Sequence, residues 1–381
     1  MIYLTFGDAL SGVYKSQVID VIKKINSING QSIKLIAFFS LRTYWKTRRE
    51  IRGLYANCLI LPMFPKLHNW EKNALMLRLV LFFIQADWII ARGIFAANLA
   101  LKAKASGTKL CYDGRGAIKA ENEEYKLFKS EKISSEIAEM ERQAVVAADF
   151  RIAVSHQLLQ YWENNFNYKA VTHRVIPCSV SRSFEDITVE EKWHLRGQYS
   201  NFEDKDIVLV YAGSVAGWQS FEFAENILRK LLTESEKIKV IFLSKEHEII
   251  QRLIRDFPTR IIRKWVHHEV VANYLKLADY GVLIREQSMT NKVASPVKFA
   301  EYLSAGLNII ISENLGDYTE MVEKHQLGVI IRDEKQPILS HLKPNTQKPE
   351  IQKLCRDFYY KNGQHISDSY RSLLDQLSKV S

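Results

Sequence analysis

The sequence predicts an α/β protein with two domains, each built on a parallel sheet in the manner of the Rossmann fold. The chain has 381 residues, which is too long for one ordinary core and suits two domains. Short apolar runs of strand length alternate with longer helical stretches, as is typical of parallel crossover units. A charged stretch at 183–206 has no strong apolar period and separates two such series. We therefore expect a first domain at 1–182 and a second at 183–349.

In the first domain, each predicted strand is a short apolar run that ends at a turn or a polar residue. Ser155 is the predicted N-cap of the last helix in this series. The segment 121–148 is rich in Glu, Ala and Lys, which predicts one long helix. The predicted strands are 2–6, 33–39, 57–62, 88–91, 109–112, 150–154 and 174–177, and the predicted helices are 17–28, 42–52, 94–105, 121–148 and 156–164.

In the second domain the same alternation starts again. We expect the charged stretch before it to be an interdomain linker with a short helix. The predicted strands are 207–211, 239–243, 259–262, 280–284, 308–312 and 328–331, and the predicted helices are 221–233, 269–278, 296–305 and 350–377.

The most informative stretch is 280–312, which predicts a strand, a polar loop at 285–295, a helix and a second strand. Ser295 is the predicted N-cap of this helix and Pro296 its first residue. Gly306 is expected to end it. The helix start is positive and has unpaired N–H groups, so it is a natural site for an anion.

Two side chains near that helix start carry the functional argument. Lys298 adds a cation to the positive helix end, which is locally unfavourable unless an anion binds there. Glu301 lies three residues further on the same face. One interpretation is a Lys–Glu surface pair. The other places Lys298 on a phosphate and Glu301 on sugar hydroxyls.

Glycines follow several predicted strands, at the edge where an open α/β sheet binds ligands. Gly12 opens the first helix, and Arg92 ends the fourth strand. The fifth strand is followed by Asp113-Gly114-Arg115-Gly116, which predicts either a ligand contact or a turn in which the polar side chains cap their own backbone. The N–H groups of Gly213 and Ser214, after the strand 207–211, are candidates to cradle a diphosphate, or they belong to a plain turn.

Composition narrows the class of protein. The net charge of +10 and the pI near 9.2 favour an anionic partner. The four cysteines form no CxxC pair, so neither a zinc site nor a disulfide framework is indicated, and a reducing cytoplasm fits. We expect the first residues to form a strand rather than a signal peptide.

Two segments allow both a structural and a membrane interpretation. The apolar segment 74–84 is too short to span a bilayer and is either a buried core helix or a helix on a membrane surface. The basic segment 42–52 is either a solvated helix face or a contact with anionic lipid.

The segment SPVKFAEYLSAGLNIIIS resembles the donor-site motif of retaining glycosyltransferases of family 4, which have the GT-B fold. The resemblance implies two Rossmann-like domains facing across a cleft, with a C-terminal helix at about 350–381 crossing back to the first domain. It implies a nucleotide-sugar donor whose ribose is bound by Glu301. The chemistry needs fixed positive charge for the departing diphosphate, and Arg285, Lys298 and the Gly213 and Ser214 N–H groups are our candidates to supply it. Further donor contacts are expected from Asn291, Ser295 and Pro296.

The segment ARGIFAANLALKAKASGTKLCYDGRG is similar to bacterial polysaccharide-assembly members of the same family. The resemblance puts Gly12, Arg92 and Arg115 on the acceptor side. Asp113 stands where many relatives have a histidine, which implies that it orients the acceptor or acts as a general base. No bound metal or other cofactor is implied.

The chain departs from the family pattern at three places. Relatives commonly have an arginine and a lysine where this chain has Ser214 and Gln219-Ser220. The first glutamate of their E-x7-E pair falls at Val293, and Glu286 or Asn291 is a candidate to replace it. Arg285 and Lys298 are candidates to supply the missing charge.

We therefore expect a retaining glycosyltransferase that moves a sugar from a nucleotide-sugar to a glycan or lipid-linked glycan in cell-surface polysaccharide synthesis, such as capsule or lipopolysaccharide. It would be cytoplasmic or peripheral at the inner membrane face. Two alternatives stay open: a nucleotide-sugar 2-epimerase with the same fold, and a catalytically silent nucleotide-binding homologue. A nucleic-acid binder is suggested by charge alone and lacks a basic stripe interleaved with aromatic residues.

Overall fold

The computed structural model describes residues 1–64, 67–181, 189–213, 219–344 and 349–380. Contacts within the chain divide it into two compact units. Unit 1 comprises Met1–Ser181, Val293–Ser295 and Gln364–Ser381, and unit 2 comprises Arg182–Lys292 and Pro296–Gly363. Each unit is built on its own parallel sheet, as the alternation of apolar runs and helices predicts.

The sheet of unit 1 has seven parallel strands in the order β3-β2-β1-β4-β5-β6-β7. The order reverses between β1 and β4, which makes that point the place where the carboxyl edge opens. The strands are β1 Ile2–Phe6, β2 Lys34–Ser40, β3 Cys58–Met63, β4 Trp88–Arg92, β5 Lys109–Gly114, β6 Phe150–Ala153 and β7 His173–Val175.

The helices of unit 1 cover both faces of this sheet, so its central strands are buried on two sides. They are α1 Gly12–Tyr14, which continues through a π-helical turn at Lys15–Ile19 into α2 Asp20–Asn29, then α3 Tyr44–Leu54, a 3-10 helix Leu67–Lys72, α4 Asn73–Phe83, α5 Gly93–Ala103, α6 Ile118–Tyr125, α7 Glu131–Ala147, α8 His156–Phe166 and the C-terminal α17 Gln364–Val380. One core lies among α2, α3 and α17, and the other among α4, α5, α7 and α8.

The sheet of unit 2 has six parallel strands in the order β10-β9-β8-β11-β12-β13, and its order reverses between β8 and β11. This is the strand order of a dinucleotide-binding α/β sheet. The strands are β8 Ile207–Ala212, β9 Ile238–Leu243, β10 Ile261–Lys264, β11 Tyr280–Leu283, β12 Asn308–Ser312 and β13 Gly328–Ile331. The helices are α9 Val189–Tyr199, α10 Phe221–Glu234, α11 Glu248–Asp256, α12 His268–Leu277, α13 Met289–Val293, α14 Val297–Ser304, α15 Asp317–His325, a 3-10 helix Leu339–His341 and α16 Pro349–Phe358.

The stretch 183–206, expected to be a linker, is part of unit 2 from α9 onward. Buried Lys192 and Arg196 donate to the two carboxylate oxygens of Asp279, at 2.5 and 2.8 Å. Asp279 also accepts a hydrogen bond from the N–H of Val208 in β8. A carboxylate with two cationic partners and a backbone donor is satisfied although buried, so the charged helix can pack inside the unit.

The long helix predicted at 121–148 is wrong. The chain leaves α6 at Lys126, whose φ of 48° is left-handed, and α7 begins at Glu131. The amide of Asn122 holds this break, because it accepts from the N–H of Phe128 and donates to Ser134 Oγ. No glycine or proline marks the break, so the sequence pattern runs through it.

The helix predicted at 350–377 is also two helices. α16 packs on α14 in unit 2, and only α17 belongs to unit 1. Between them stands Gly363, where an added Cβ would lie 2.0 Å from the carbonyl oxygen of Arg356. The tight turn at this glycine ends the first helix and allows the second to start in another unit.

Candidate functional site

In unit 2, the carboxyl edge opens between β8 and β11, where the strand order reverses. β8 is followed there by Gly213, and β11 by Ile284 and Arg285. The predicted donor-site residues Gly213, Arg285, Asn291 and Lys298 all follow these two strands in the chain, so the topology brings them to one edge. Ser214 lies outside the described residues.

The side chain of Tyr302 links helix α14 to this edge. The hydroxyl of Tyr302 accepts from the N–H of Ala212, at the end of β8, at 3.0 Å. Its ring lies directly over Gly281 of β11, where an added Cβ would come within 2.2 Å of the ring. Gly281 therefore gives α14 the space to pack against the two strands that flank the opening. Sequence reasoning missed both residues.

The start of α14 differs in detail from the prediction. The N-cap is Pro296 and the first helical residue is Val297, so the predicted N-cap at Ser295 is wrong. The hydroxyl of Ser295 accepts from the N–H of Cys178 at 2.8 Å, and both residues belong to unit 1. This hydroxyl therefore bonds to a segment that is distant in the chain. The predicted end at Gly306 is confirmed, with φ of +73°.

Lys298 and Glu301 lie on the same face of α14, as the spacing predicts. Lys298 Nζ donates to Glu301 Oε2 at 2.5 Å, and both side chains are partly exposed. The two groups therefore form the Lys–Glu pair of the first interpretation. The same geometry holds an ammonium and a carboxylate side by side at the positive helix start, where a phosphate and a sugar hydroxyl could be bound together.

Arg285 is buried in a polar network at the same edge. Its backbone N–H donates to Ser312 Oγ at 2.6 Å, and its guanidinium donates to Asn291 Oδ1 at 3.4 Å. The amide of Asn291 donates in turn to the carbonyl of Glu286 at 3.0 Å, and the N–H of Glu286 donates to Ser220 Oγ. These bonds fix the turn after β11 and hold the guanidinium at the opening.

The loop predicted at 285–295 contains the short helix α13, and Asn291 lies on it with its side chain buried. Glu286 is exposed. Val293, the position of the missing first glutamate, is fully buried in the core of unit 1, and its carbonyl accepts from Ser155 Oγ. Of the two candidate replacements, Asn291 is held in place by the network, while Glu286 is exposed.

The carboxyl edge of unit 1 holds a second polar cluster, centred on Asp113 at the end of β5. Asp113 is buried, and its Oδ2 accepts from the hydroxyl of Tyr3 at 2.6 Å. Arg115 donates to Oδ1 at 3.1 Å, and Arg92 lies 3.6 Å from Oδ2. The predicted residues Arg92, Asp113 and Arg115 therefore come together. The Asp113 carboxylate is occupied by these partners, so it balances and positions the two guanidinium groups.

Gln17, in the π-helical turn after β1, ties this cluster to neighbouring segments. Its amide donates to the carbonyl of Ser179 at 2.8 Å, and its Oε1 accepts from Arg115 at 3.4 Å. Arg115 also contacts Cys178 Sγ at 3.3 Å. Irregular π turns inside helices are frequent at functional sites. Gly12 is the first residue of the helix and lies behind its N-cap, Ser11.

Asp8 is a member of this cluster that sequence reasoning missed. It follows β1 at the point where the strand order reverses, and burial raises the pKa of its carboxyl. Arg92 and Arg115 act in the opposite direction, and Asp113 adds to the rise. Within the described ranges Asp8 makes no hydrogen bond, in contrast to Asp113. The available signal was a carboxylate directly after Gly7 at the end of the first strand.

A cleft of about 650 Å³ lies at the opposite edge of the sheet in unit 2. Tyr280, Asn308 and Gly328, the first residues of β11, β12 and β13, line it. It is therefore separate from the carboxyl edge where the candidate residues gather.

No family model matches the chain, and no curated protein matches it. Several solved structures are similar to the chain. The chain is similar to sucrose-phosphate synthase from Thermosynechococcus elongatus, with a TM-score of 0.69, 13% identity, and coverage of 100% of this chain and 99% of that one. It is similar to Anabaena HepE in complex with UDP, with a TM-score of 0.69, 12% identity and 99% coverage of both chains.

A third similar structure is the lipopolysaccharide outer core galactosyltransferase WaaB, with a TM-score of 0.65, 14% identity, and coverage of 100% of this chain and 99% of that one. A putative UDP-N-acetylglucosamine 2-epimerase from Listeria monocytogenes also aligns, with a TM-score of 0.59, 11% identity, and coverage of 99% and 95%. The two strand orders and these similarities over the whole chain show that the protein has the GT-B fold, with two Rossmann-like domains.

Proposed function

We propose that the protein is a retaining glycosyltransferase of family 4 type that uses a nucleotide-sugar donor. The observation that carries this proposal is the placement of Lys298 and Glu301 side by side on α14, at the carboxyl edge where the strand order of unit 2 reverses. This is the edge at which open α/β sheets bind nucleotides. The complex of the similar Anabaena protein with UDP supports the same donor chemistry.

In this proposal the positive groups of unit 2 stabilise the departing diphosphate. Lys298, the α14 helix start and buried Arg285 supply fixed positive charge, which does not need to reorganise during the reaction. Lys298 exchanges its contact with Glu301 for a phosphate oxygen, and Glu301 then accepts from ribose hydroxyls. No step in this scheme needs a bound metal.

We assign the binding of the acceptor to unit 1. Since Asp113 is occupied by Tyr3 and two arginines, we assign it the positioning of Arg92 and Arg115 rather than proton abstraction. Asp8, with its raised pKa, is the carboxyl that we propose to bind the acceptor hydroxyl. The proposed acceptor is a glycan or lipid-linked glycan of a cell-surface polysaccharide, reached from the cytoplasm.

The decisive experiment is a calorimetric screen of UDP, GDP, ADP and CMP and their sugars against wild type and Lys298→Ala. We expect one nucleotide to bind selectively, and the variant to lose at least about tenfold in affinity, because a charge-assisted contact to phosphate contributes roughly 1.5–3 kcal/mol. Lys324→Ala is the matched control, since Lys324 is exposed in the last turn of α15, away from the carboxyl edge. Equal affinity of Lys298→Ala and Lys324→Ala would remove Lys298 from the site.

A nucleotide-sugar 2-epimerase is the second candidate, because a putative enzyme of that class is among the similar structures. The two functions differ in their products. An epimerase converts the sugar nucleotide without an acceptor, whereas a transferase releases the nucleoside diphosphate only when an acceptor is present. Chromatography of the selected nucleotide-sugar after incubation with the protein alone separates them. Tight binding with no epimerised product, and with no nucleoside diphosphate released after lipid-linked glycan acceptors are added, would favour the silent homologue.

A further inference from the structure

The net positive charge of the chain comes from its first part. Residues 1–104 hold 15 Lys and Arg against 5 Asp and Glu, and the remaining 277 residues hold 38 of each. The whole excess of +10 therefore lies in the segment from β1 to α5, which forms the half of the unit 1 sheet around β3, β2, β1 and β4. Such an asymmetry indicates an anionic partner for this half of the unit.

The same half exposes large apolar side chains. Eight of the fourteen large apolar residues that are exposed among the described residues fall between positions 13 and 83. Four of them follow the carboxyl ends of β1, β2 and β3, so the topology places them along one rim of the sheet. These four, which we call the apolar rim, are Val13, Leu41, Trp45 and Phe64.

Helix α4 continues this surface. It is apolar on nearly all sides, yet only Leu77 and Asn73 are buried in it. Its outward face carries four apolar side chains at the spacing of one helical stripe, with Phe82 76% and Phe83 75% exposed. The stripe consists of Leu75, Leu79, Phe82 and Phe83. The backbone N–H of Phe64 donates to the side chain of Asn73 at 2.9 Å, which joins the rim to the start of α4.

Basic side chains border the rim. The segment from Leu41 to Leu54 carries five basic residues and one acidic residue. Trp45 is 74% exposed, and the Arg48 guanidinium lies 5.8 Å from its ring centroid. An exposed tryptophan among arginines and lysines is suited to the boundary between lipid headgroups and acyl chains.

We propose that unit 1 docks on an anionic membrane surface through the apolar rim and the α4 stripe. The apolar side chains enter the headgroup region, and the basic residues around them contact lipid phosphates. The contact that we propose is peripheral, and no helix within the described ranges is both long and apolar enough to cross a bilayer. A second copy of the chain is disfavoured, because it would bring two surfaces of the same positive sign together. A nucleic acid would match the charge but leave the leucines and phenylalanines of α4 uncovered.

This docking also specifies the acceptor, and that assignment rests on the proposed function. The rim follows β1, β2 and β3 at the same sheet edge as Asp8, Arg92 and Asp113. A membrane against the rim would therefore present a glycan on a lipid anchor beside the polar cluster. We assign a membrane-held, lipid-linked acceptor to the site.

The test is sedimentation of the full chain with vesicles of phosphatidylcholine alone and of phosphatidylcholine with 30% phosphatidylglycerol. We expect binding to the anionic vesicles only. Phe82→Ser/Phe83→Ser should lower the partition coefficient at least tenfold, since two phenyl groups no longer leave water. Trp265→Ser is the matched control, because Trp265 is an exposed aromatic residue in unit 2, and it should bind as wild type does.

The electrostatic part is tested with Arg42→Glu/Arg49→Glu, which should lower binding by about 25-fold or more, at roughly fivefold for each charge removed. Lys237→Glu/Arg255→Glu makes the same change on the exposed surface of unit 2 and should leave binding intact. Equal loss in both pairs would mean that net charge alone drives binding, and would overturn the assignment of the surface.

Other outcomes also decide. Failure of wild type to bind anionic vesicles, or concentration-dependent dimers that the Phe82→Ser/Phe83→Ser change abolishes, would overturn the membrane proposal. Nucleotide titrations of the same variants keep the two proposals apart. Loss of vesicle binding with unchanged nucleotide affinity supports docking, while absent nucleotide binding in wild type would count against the donor site and leave the vesicle result standing.

Discussion

The packing of Tyr302 over Gly281 makes a sharp prediction for the variant Gly281→Ala. An added Cβ would lie 2.2 Å from the ring of Tyr302, closer than real Cβ atoms approach other carbon atoms. The strand cannot yield, because Gly281 pairs with Val210 on one side and Ile309 on the other. The ring must move instead, and with it the hydroxyl that accepts from Ala212.

The size of the effect follows from two contributions. Overpacking a core position destabilises by about 1–3 kcal/mol. Weakening the bond to the buried N–H of Ala212 adds about 1 kcal/mol. We expect Gly281→Ala to destabilise the protein by about 2–4 kcal/mol, which lowers the melting temperature of a unit of this size by roughly 5–12 °C. Because Tyr302 positions α14, nucleotide affinity should fall as well.

Thermal unfolding by circular dichroism measures the first effect and calorimetry the second. Gly197→Ala is the matched control, because nothing lies within 4 Å of its added Cβ and the residue is in the helix α9. It should be neutral or stabilising by up to about 1 kcal/mol. Adding Tyr302→Ala to Gly281→Ala should cost much less than adding it to wild type. If Gly281→Ala melts within 2 °C of wild type and binds nucleotide normally, Tyr302 does not position α14 as described.

Two further predictions concern carboxyl groups in unit 1. Activity should fall as the pH drops through the raised pKa of Asp8, because the carboxylate is then protonated. Asp8→Asn should reduce turnover and lose this acid limb of the pH profile, while nucleotide affinity stays unchanged. An intact acid limb in the variant would exclude Asp8. Burial, and then the charge of Glu124, raise the pKa of Glu121 from 4.5 to about 7. The folded state therefore binds more protons than the unfolded chain between these values, so stability is lost as the pH rises from about 4.5 to 7. Glu121→Gln should gain about 2 kcal/mol at pH 8 and little at pH 4, and equal denaturant midpoints of the two proteins at pH 8 would contradict this.

The sequence predicts the elements that depend on local pattern. The buried strands of both sheets are continuous apolar runs, and the cap at Ser155 and the end of α14 at Gly306 are set by residues within a few positions. Ser155 Oγ accepts from the N–H of Leu158, which is a contact three residues away. The spacing of Lys298 and Glu301 likewise places both side chains on one face without any knowledge of the tertiary fold.

What the sequence leaves out depends on residues that are distant in the chain. The hydroxyl of Tyr302 accepts from the N–H of Ala212 across 90 positions, and its ring packs over Gly281. The hydroxyl of Tyr3 donates to Asp113 across 110 positions. For this reason the role that we assign to Asp113 differs from the role that the sequence predicts. In the sequence it is a carboxylate at a ligand edge, whereas in the fold its contacts with Tyr3, Arg92 and Arg115 make it the counter-ion of two guanidinium groups. The break at Lys126 depends on a side-chain bond between two helices, which no local pattern contains.

The two units use positive charge in different ways. Unit 2 has 26 basic and 26 acidic residues, so an anion gains nothing from its overall field. The proposed affinity for a diphosphate would therefore come from the placement of Arg285 and Lys298 beside the start of α14, in a setting where short contacts are only weakly screened. Unit 1 carries the whole excess of charge, spread over exposed side chains that salt screens strongly. If both proposals hold, the chain binds a nucleotide through the placement of two side chains and a membrane through its overall field, and neither kind of binding needs to weaken the other.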